Sequence, residues 1–221
     1  MLISIERCNM TQYMRFIRDY YFVLLAILAA MMIWLTGTNQ ALFFELNKLH
    51  ILLPDSIWEG INYITYSKTY ILPTLLIITT LLFQREKLLN ILLLIICYYV
   101  LFNYMKEFFH EARPYIQYAS TTFYWLHPGM TTEFQPYGSF PSGHTCNTAV
   151  FVFTLSCFFA QHKCWLQALL TGGLILVMLT RIATGWHFPL DVLLSAIIGY
   201  ILTKIFISFP LPNIFDIRFN N

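Results

Sequence analysis

Three short polar clusters interrupt an otherwise apolar chain, and their residue types could carry out displacement at phosphorus. The first is Lys106-Glu107-Phe108-Phe109-His110-Glu111-Ala112-Arg113-Pro114, the second Tyr137-Gly138-Ser139-Phe140-Pro141-Ser142-Gly143-His144, and the third runs from Thr180 through Arg181, His187 and Pro189 to Asp191. Lysine and arginine neutralise phosphate oxygens as charge builds on them, and arginine can do so bidentately. One histidine can attack while a carboxylate holds it in one tautomer, and a second can protonate the leaving oxygen. Three cations, two histidines and one carboxylate supply these parts if the fold gathers them.

Each cluster also has a plainer reading. Lys106 and Arg113 are seven residues apart, two helical turns, so a helix that continued to Arg113 would point both cations the same way. Alone, they read as a basic interface anchor balanced by Glu107 and Glu111, with Pro114 ending the helix. Ser142 and Gly143 can turn backbone N–H groups toward an anion at a helix start, beside His144. Alone, a Pro-Ser-Gly turn with a surface histidine fits equally well. His187 and Asp191 are four apart, and with Pro189 in the first turn of a helix Asp191 can reach back to the imidazole. The simpler alternative is a helix cap by Asp191 with an incidental histidine.

What must position these clusters is a bundle of membrane helices. The chain of 221 residues is 58% hydrophobic, 18% aromatic and only 11% charged, a membrane composition. Runs 20–37, 69–84, 88–105, 145–161 and 164–180 contain no Asp, Glu, Lys or Arg, and a sixth, 192–209, is broken only by Lys204. Lys204 lies near one end, where its stem can snorkel. The runs are short for a bilayer, and flanking aromatic and polar residues extend each by a turn. The first run follows Arg7, Arg15 and Arg18 as a signal peptide would, but Gly37-Thr38-Asn39-Gln40 is a poor cleavage site, so a retained helix is expected. With six spans, eight Lys/Arg fall on one side (Arg7, Arg15, Arg18, Arg85, Lys87, Lys163, Lys204, Arg218) and five on the other (Lys48, Lys68, Lys106, Arg113, Arg181). That asymmetry places both termini in the cytoplasm and all three clusters on the non-cytoplasmic face. The fold class expected is all-α, a polytopic membrane protein of six transmembrane helices in one domain, 1–221, with its core at 20–209.

The connecting segments are expected to be modest. Within residues 38–67, the stretch from Ala41 to His50 suits an interfacial helix, with His50 at headgroup level. Arg85-Glu86-Lys87 is a tight hairpin turn, and His162 a turn residue. Gly172-Gly173 suggests close helix packing. Residues 115–140, with Tyr124, Trp125, Pro128, Gly129 and Pro136, should lie as an irregular layer near the site. Cys8, Cys97, Cys146, Cys157 and Cys164 show no paired metal spacing and read as packing residues. No metal, other cofactor or nucleic-acid partner is expected.

In order and spacing, Lys106-x6-Arg113-Pro114, Pro141-Ser142-Gly143-His144 and Arg181-x5-His187-x3-Asp191 resemble the three signature motifs of the type 2 phosphatidic acid phosphatase family. The resemblance covers residues 20 to 209 and departs at Thr180, where the family usually has serine. It implies a metal-independent lipid phosphatase with His187 as nucleophile forming a phosphohistidine, Asp191 as its orienting partner and His144 as general acid. Lys106, Arg113 and Arg181 would bind phosphate, helped by Ser142 and the Gly143 amide. It also implies a bacterial inner-membrane enzyme whose site faces the periplasm, acting on undecaprenyl diphosphate, phosphatidylglycerol phosphate, phosphatidic acid or lipid A phosphates.

Three rival functions use the same residues. A lipid phosphotransferase shares the first half-reaction. A non-catalytic lipid-phosphate binder would need only the cations, and the presence of both histidines argues against it. Haloperoxidase chemistry, performed by soluble relatives of that family, does not suit a membrane-embedded chain.

Overall fold

The computed structural model of the chain describes residues 21–118, 121–127, 136–159 and 163–212. The basic lead before residue 20, Cys8, Pro128, Gly129, His162 and Arg218 lie outside them. The described residues form helices and connecting turns, with a single isolated antiparallel bridge between Ala112 and Tyr137.

Each of the six apolar runs contributes a helix: α1 (Tyr21–Thr36), α4 (Ile71–Phe83), α5 (Leu88–Phe109), α7 (Gly143–Phe159), α8 (Cys164–Ala183) and α9 (Pro189–Ser208). Between α1 and α4 come α2 (Asn39–Asn47) and α3 (Asp55–Thr65), and α6 is the short turn Pro114–Gln117. Among the described residues, three helices are long and apolar enough to cross a membrane: α5 with its leading turn from Arg85, α8 and α9. A fourth span results if α1 and the segment Asn39–Leu52, bent 114° from it, count as one. Helix α4 falls short because Tyr70 takes a left-handed conformation (φ 57°) and starts the helix late. Its 13 residues give roughly 20 Å against a hydrocarbon core of about 30 Å.

Helix α7 is the centre of the bundle, packed against α3, α4, α8 and α9. Its contact with α9 is closest at Gly199, where a Cβ would lie 2.7 Å from the Ala149 Cβ and 3.1 Å from the Cys146 carbonyl oxygen. There, rather than at Gly172-Gly173, small residues admit close helix packing. Both of those glycines are exposed and face open space. Around this contact a core of Ala149, Val152, Phe153, Met178, Val192, Ala196 and Tyr200 is shared by three helices. On α1 the buried residues Val23, Ala26, Ala30 and Ile33 recur at three- and four-residue intervals, while Leu28, Met32 and Leu35 are exposed. One stripe therefore faces protein and the rest is free for lipid.

Helix α2 sinks further than an interfacial helix would. Phe43 is fully buried, and Asn47 Nδ2 donates to the carbonyls of Tyr124, Ile182 and Ala183 while its Oδ1 accepts from the Tyr124 N–H. One amide thus stitches α2 and the aromatic loop to the C-terminal end of α8, where it donates to the Ile182 and Ala183 carbonyls. His50 stacks on Tyr124 with ring centroids 4.0 Å apart. Cys97, Cys146 and Cys164 are free thiols.

Candidate active site

Backbone pairing joins the first two clusters. Helix α5 ends at Phe109, and His110 turns left-handed (φ 46°) with its ring stacked 4.0 Å from Tyr137. The expected continuous helix to Arg113 is therefore absent. Instead residues 111–113 run antiparallel to 136–139, through Arg113 N–H to the Pro136 carbonyl (3.1 Å), the bridge at Ala112 and Ser139 N–H to the Glu111 carbonyl (3.0 Å). Gly138 (φ 84°) completes this pairing, and the Lys106 side chain lies over it, with Cδ 3.5 Å from where a Cβ would stand. Lys106 and Arg113 thus reach one place by a turn and a strand-like pairing, not by a shared helix face.

The third cluster is wrapped round the end of α8. Trp186 and His187 N–H groups both donate to the Arg181 carbonyl, at 3.1 and 3.2 Å. Gly185 permits the turn: its φ is 81°, and a Cβ there would meet Phe123 and Trp125 at 2.8 and 2.9 Å. Pro189 opens α9 as the spacing suggested, and Asp191 Oδ2 accepts the Phe188 N–H at 2.9 Å, satisfying a donor at the helix start.

A cavity of about 690 Å³ opens between these parts, lined among others by Lys106, Arg113, Gly143, His144, Arg181 and His187. Lys106 and Arg181 approach at the C-terminal ends of α5 and α8, and His144 at the N-terminal end of α7, so the site lies at one end of the bundle. His187 is fully buried beside Arg113, whose Nη1 is 3.5 Å from His187 Nε2. Its Nδ1 lies 2.6 Å from the Ser139 carbonyl oxygen and 3.8 Å from Asp191 Oδ2. An N–H therefore sits on Nδ1, and Nε2 presents a lone pair. Burial, and next the charges of Arg113 and Arg181, push the His187 pKa well below its ordinary value, so the ring is neutral.

Arg181 is 3% exposed, and its Nε–H has no hydrogen-bond partner among the described residues. Its Nη1 donates to Asn62 Oδ1 at 2.5 Å. The Arg113 and Arg181 guanidinium groups both lie 5.1 Å from the Trp186 ring. Tyr66 stacks on the His144 ring at 5.2 Å. Asn62 and Tyr66 lie outside the three clusters, and Ser139 and Trp186 lie within them without a role assigned from the sequence; only the tertiary contacts show what these four residues touch.

One sequence expectation changes. The Ser142 N–H is not turned toward the cavity, for it donates to Ser195 Oγ at 2.7 Å, and Ser142 is fully buried beneath the lining. Gly143 does line the cavity. Thr180 is also fully buried and its hydroxyl donates to the Leu176 carbonyl of its own helix, so it too is directed away.

Comparison with known proteins identifies the fold and the family. A crystal structure of Aquifex aeolicus LpxE is similar over 77% of this chain and 95% of its own, at 29% identity and a TM-score of 0.63. The crystal structure of a PAP2 type phosphatidylglycerolphosphate phosphatase from Bacillus subtilis shares the fold over 87% and 96%, at 20% identity and a TM-score of 0.58. No curated protein sequence matches significantly. The PAP2 superfamily profile matches residues 87–215, more than half of the chain and all three clusters, and the chain belongs to that superfamily.

Proposed function

We propose that this protein is a metal-independent membrane lipid phosphatase that hydrolyses a lipid phosphate monoester or diphosphate through a phosphohistidine at His187. The observation that carries the reading is Arg181: a buried guanidinium with an unpartnered Nε–H, facing the same cavity as Arg113, Lys106 and the His187 lone pair. Buried arginines need an anion, and a phosphoryl group supplies one where nucleophile and cations meet.

In the first step the His187 Nε2 lone pair forms a bond to phosphorus and the bond to the lipid oxygen breaks. Protonated His144 gives that oxygen its proton, and Lys106, Arg113, Arg181 and the Gly143 amide hold the phosphoryl oxygens. In the second step water attacks phosphorus, His144 accepts its proton, the N–P bond breaks and phosphate leaves. The cations supply the charge that a metal would otherwise bring, and no group of three His, Cys, Asp or Glu side chains that could hold a metal gathers among the described residues.

Six spans, with both termini cytoplasmic and the site at the periplasmic face of a bacterial inner membrane, are supported by the six apolar helices, three or four of them long enough to cross, and by the Lys/Arg asymmetry. The short α4 starts just after Tyr70, a residue of the cavity lining, which fits a site recessed below the membrane surface where a lipid phosphate can enter. Candidate substrates are undecaprenyl diphosphate, phosphatidylglycerol phosphate, phosphatidic acid and lipid A phosphates. The test is phosphate release by purified protein in detergent, with this panel and a chelator present, together with transfer of labelled phosphate to His187. Hydrolysis with an acid-labile label absent from His187→Ala is expected. No phosphate release from any member, or release only with added metal, overturns the reading.

A further inference from the structure

We propose that Ser139 is the positioning residue of the nucleophile and that Asp191 acts on His187 through Ser139. This rests on His187 being the attacking group. An imidazole that attacks from Nε2 must keep its proton on Nδ1, and whatever accepts that N–H fixes both tautomer and ring plane. The acceptor is the Ser139 carbonyl oxygen at 2.6 Å. The nearest Asp191 oxygen, at 3.8 Å, is beyond hydrogen-bond range.

That same carboxylate oxygen is engaged elsewhere. Asp191 Oδ2 accepts the Ser139 hydroxyl at 2.6 Å and the Phe188 N–H at 2.9 Å. Ser139 is fully buried, and its own N–H donates to the Glu111 carbonyl at 3.0 Å. It is therefore pinned at both its amide and its hydroxyl, and between those anchors its carbonyl is aimed at Nδ1. One residue of the second cluster thus ties the end of the first, at Glu111, to His187 and Asp191 of the third.

The arrangement suits the reaction. When Nε2 bonds to phosphorus the ring becomes a cation that keeps its Nδ1 proton. The carbonyl then accepts a stronger, charge-assisted hydrogen bond, and the Asp191 carboxylate adds attraction at 3.8 Å. No proton need move to either partner. Holding the serine also leaves the carboxylate Oδ2 with two hydrogen bonds before and after attack, which favours a buried charge.

The test is a cycle of Ser139→Ala, Asp191→Asn and the double variant, read by kcat, KM, vanadate affinity and ¹⁵N histidine spectra of the full-length protein in detergent. Ser139→Ala keeps the carbonyl but releases its anchor. Each single variant should lose kcat by about 10- to 100-fold with KM and vanadate affinity near wild type, and the double should lose no more than the worse single, because the two act in one chain. His187 should show the Nδ1–H tautomer in wild type and a mixture in both singles, and Ser139→Thr, which keeps a hydroxyl, should restore wild-type kcat in part. If Ser139→Ala does not accumulate, Ser139→Cys, nearly the same size but a weak donor, carries the same test. Wild-type kcat and tautomer in the Ser139 variant, with both altered in Asp191→Asn, or multiplicative losses in the double, overturns the proposal. The tautomer readout needs no turnover, so a missing phosphohistidine label would reject the nucleophile assignment and leave this geometry separately tested.

Discussion

Arg181 Nη1 donates to Asn62 Oδ1 at 2.5 Å, and Asn62 lies on α3, ahead of the residues 87–215 that match the family profile. A cation proposed to bind phosphate is thus aimed by a neutral side chain from a segment outside the matched region. A neutral acceptor orients the guanidinium and leaves its charge for the substrate. Asn62→Asp would instead offer a carboxylate, which competes with the anion for Arg181. Vanadate inhibition should weaken by about 10- to 100-fold in Asn62→Asp, the range of one charge-assisted hydrogen bond, and by less in Asn62→Ala. Unchanged inhibition in Asn62→Asp would mean that Arg181 does not face the anion.

Trp186 carries a related expectation. Both guanidinium groups lie 5.1 Å from its ring, and they repel one another unless something between or beneath them is electron-rich. An indole face offsets part of that repulsion, at about 0.5 to 2 kcal/mol for each cation. Trp186→Leu should therefore raise the KM for a lipid phosphate by about 3- to 30-fold, with Trp186→Phe intermediate. Equal KM values for Leu and Trp at this position, in detergent assays, would remove the ring from any part in holding the cations.

The sequence made the motifs legible because charge is rare in this chain, so each polar cluster had to have a reason to be there. It also made the helices legible, since each apolar run became one. The convergence of Lys106 with Arg113 was expected from a continuous helix but arises from the left-handed turn at His110 and the pairing of 111–113 with 136–139. That pairing joins residues over twenty positions apart, which periodicity cannot see. The same limit hid Asn62, Tyr66, Ser139 and Trp186, whose contacts depend on where α3 and the loops settle. The late start of α4 depends on the backbone of Tyr70, and the close packing at Gly199 on which face of α9 meets α7. Neither is written in local composition.

The state of His187 gives a pH prediction with a definite sign. Burial first, then Arg113 and Arg181, lower its pKa, so the neutral ring persists to lower pH than in an ordinary histidine. Diethyl pyrocarbonate modifies the neutral imidazole. In the absence of substrate, the modification rate of His187, followed by peptide mass spectrometry, should stay level from about pH 7.5 to 5.5, whereas an ordinary histidine slows below about 6.5. Arg113→Met should bring back only part of that slowing, because burial, the larger cause, remains. A wild-type decline centred near 6.5 would show that the ring is not held neutral.

The role proposed for His144 can be separated from simple phosphate binding by the leaving group. His144 lines the cavity, with Tyr66 stacked on its ring at 5.2 Å. A lipid alkoxide leaves poorly unless protonated as the P–O bond breaks, whereas p-nitrophenolate leaves readily without a proton. Loss of the acid should slow the first step steeply for the lipid and mildly for the aryl ester. Arg181 contributes differently, since the phosphoryl oxygens of both substrates need neutralising in the transition state. His144→Ala should therefore lose roughly three orders of magnitude in kcat/KM against a lipid phosphate and about ten-fold against p-nitrophenyl phosphate. Arg181→Ala should lose comparably on both. Because His144 also acts as base in the second step, the aryl ester should show a burst of p-nitrophenol in His144→Ala, as the phosphohistidine forms quickly and hydrolyses slowly. Equal losses on the two substrates, without a burst, would reassign His144 from general acid to phosphate ligand.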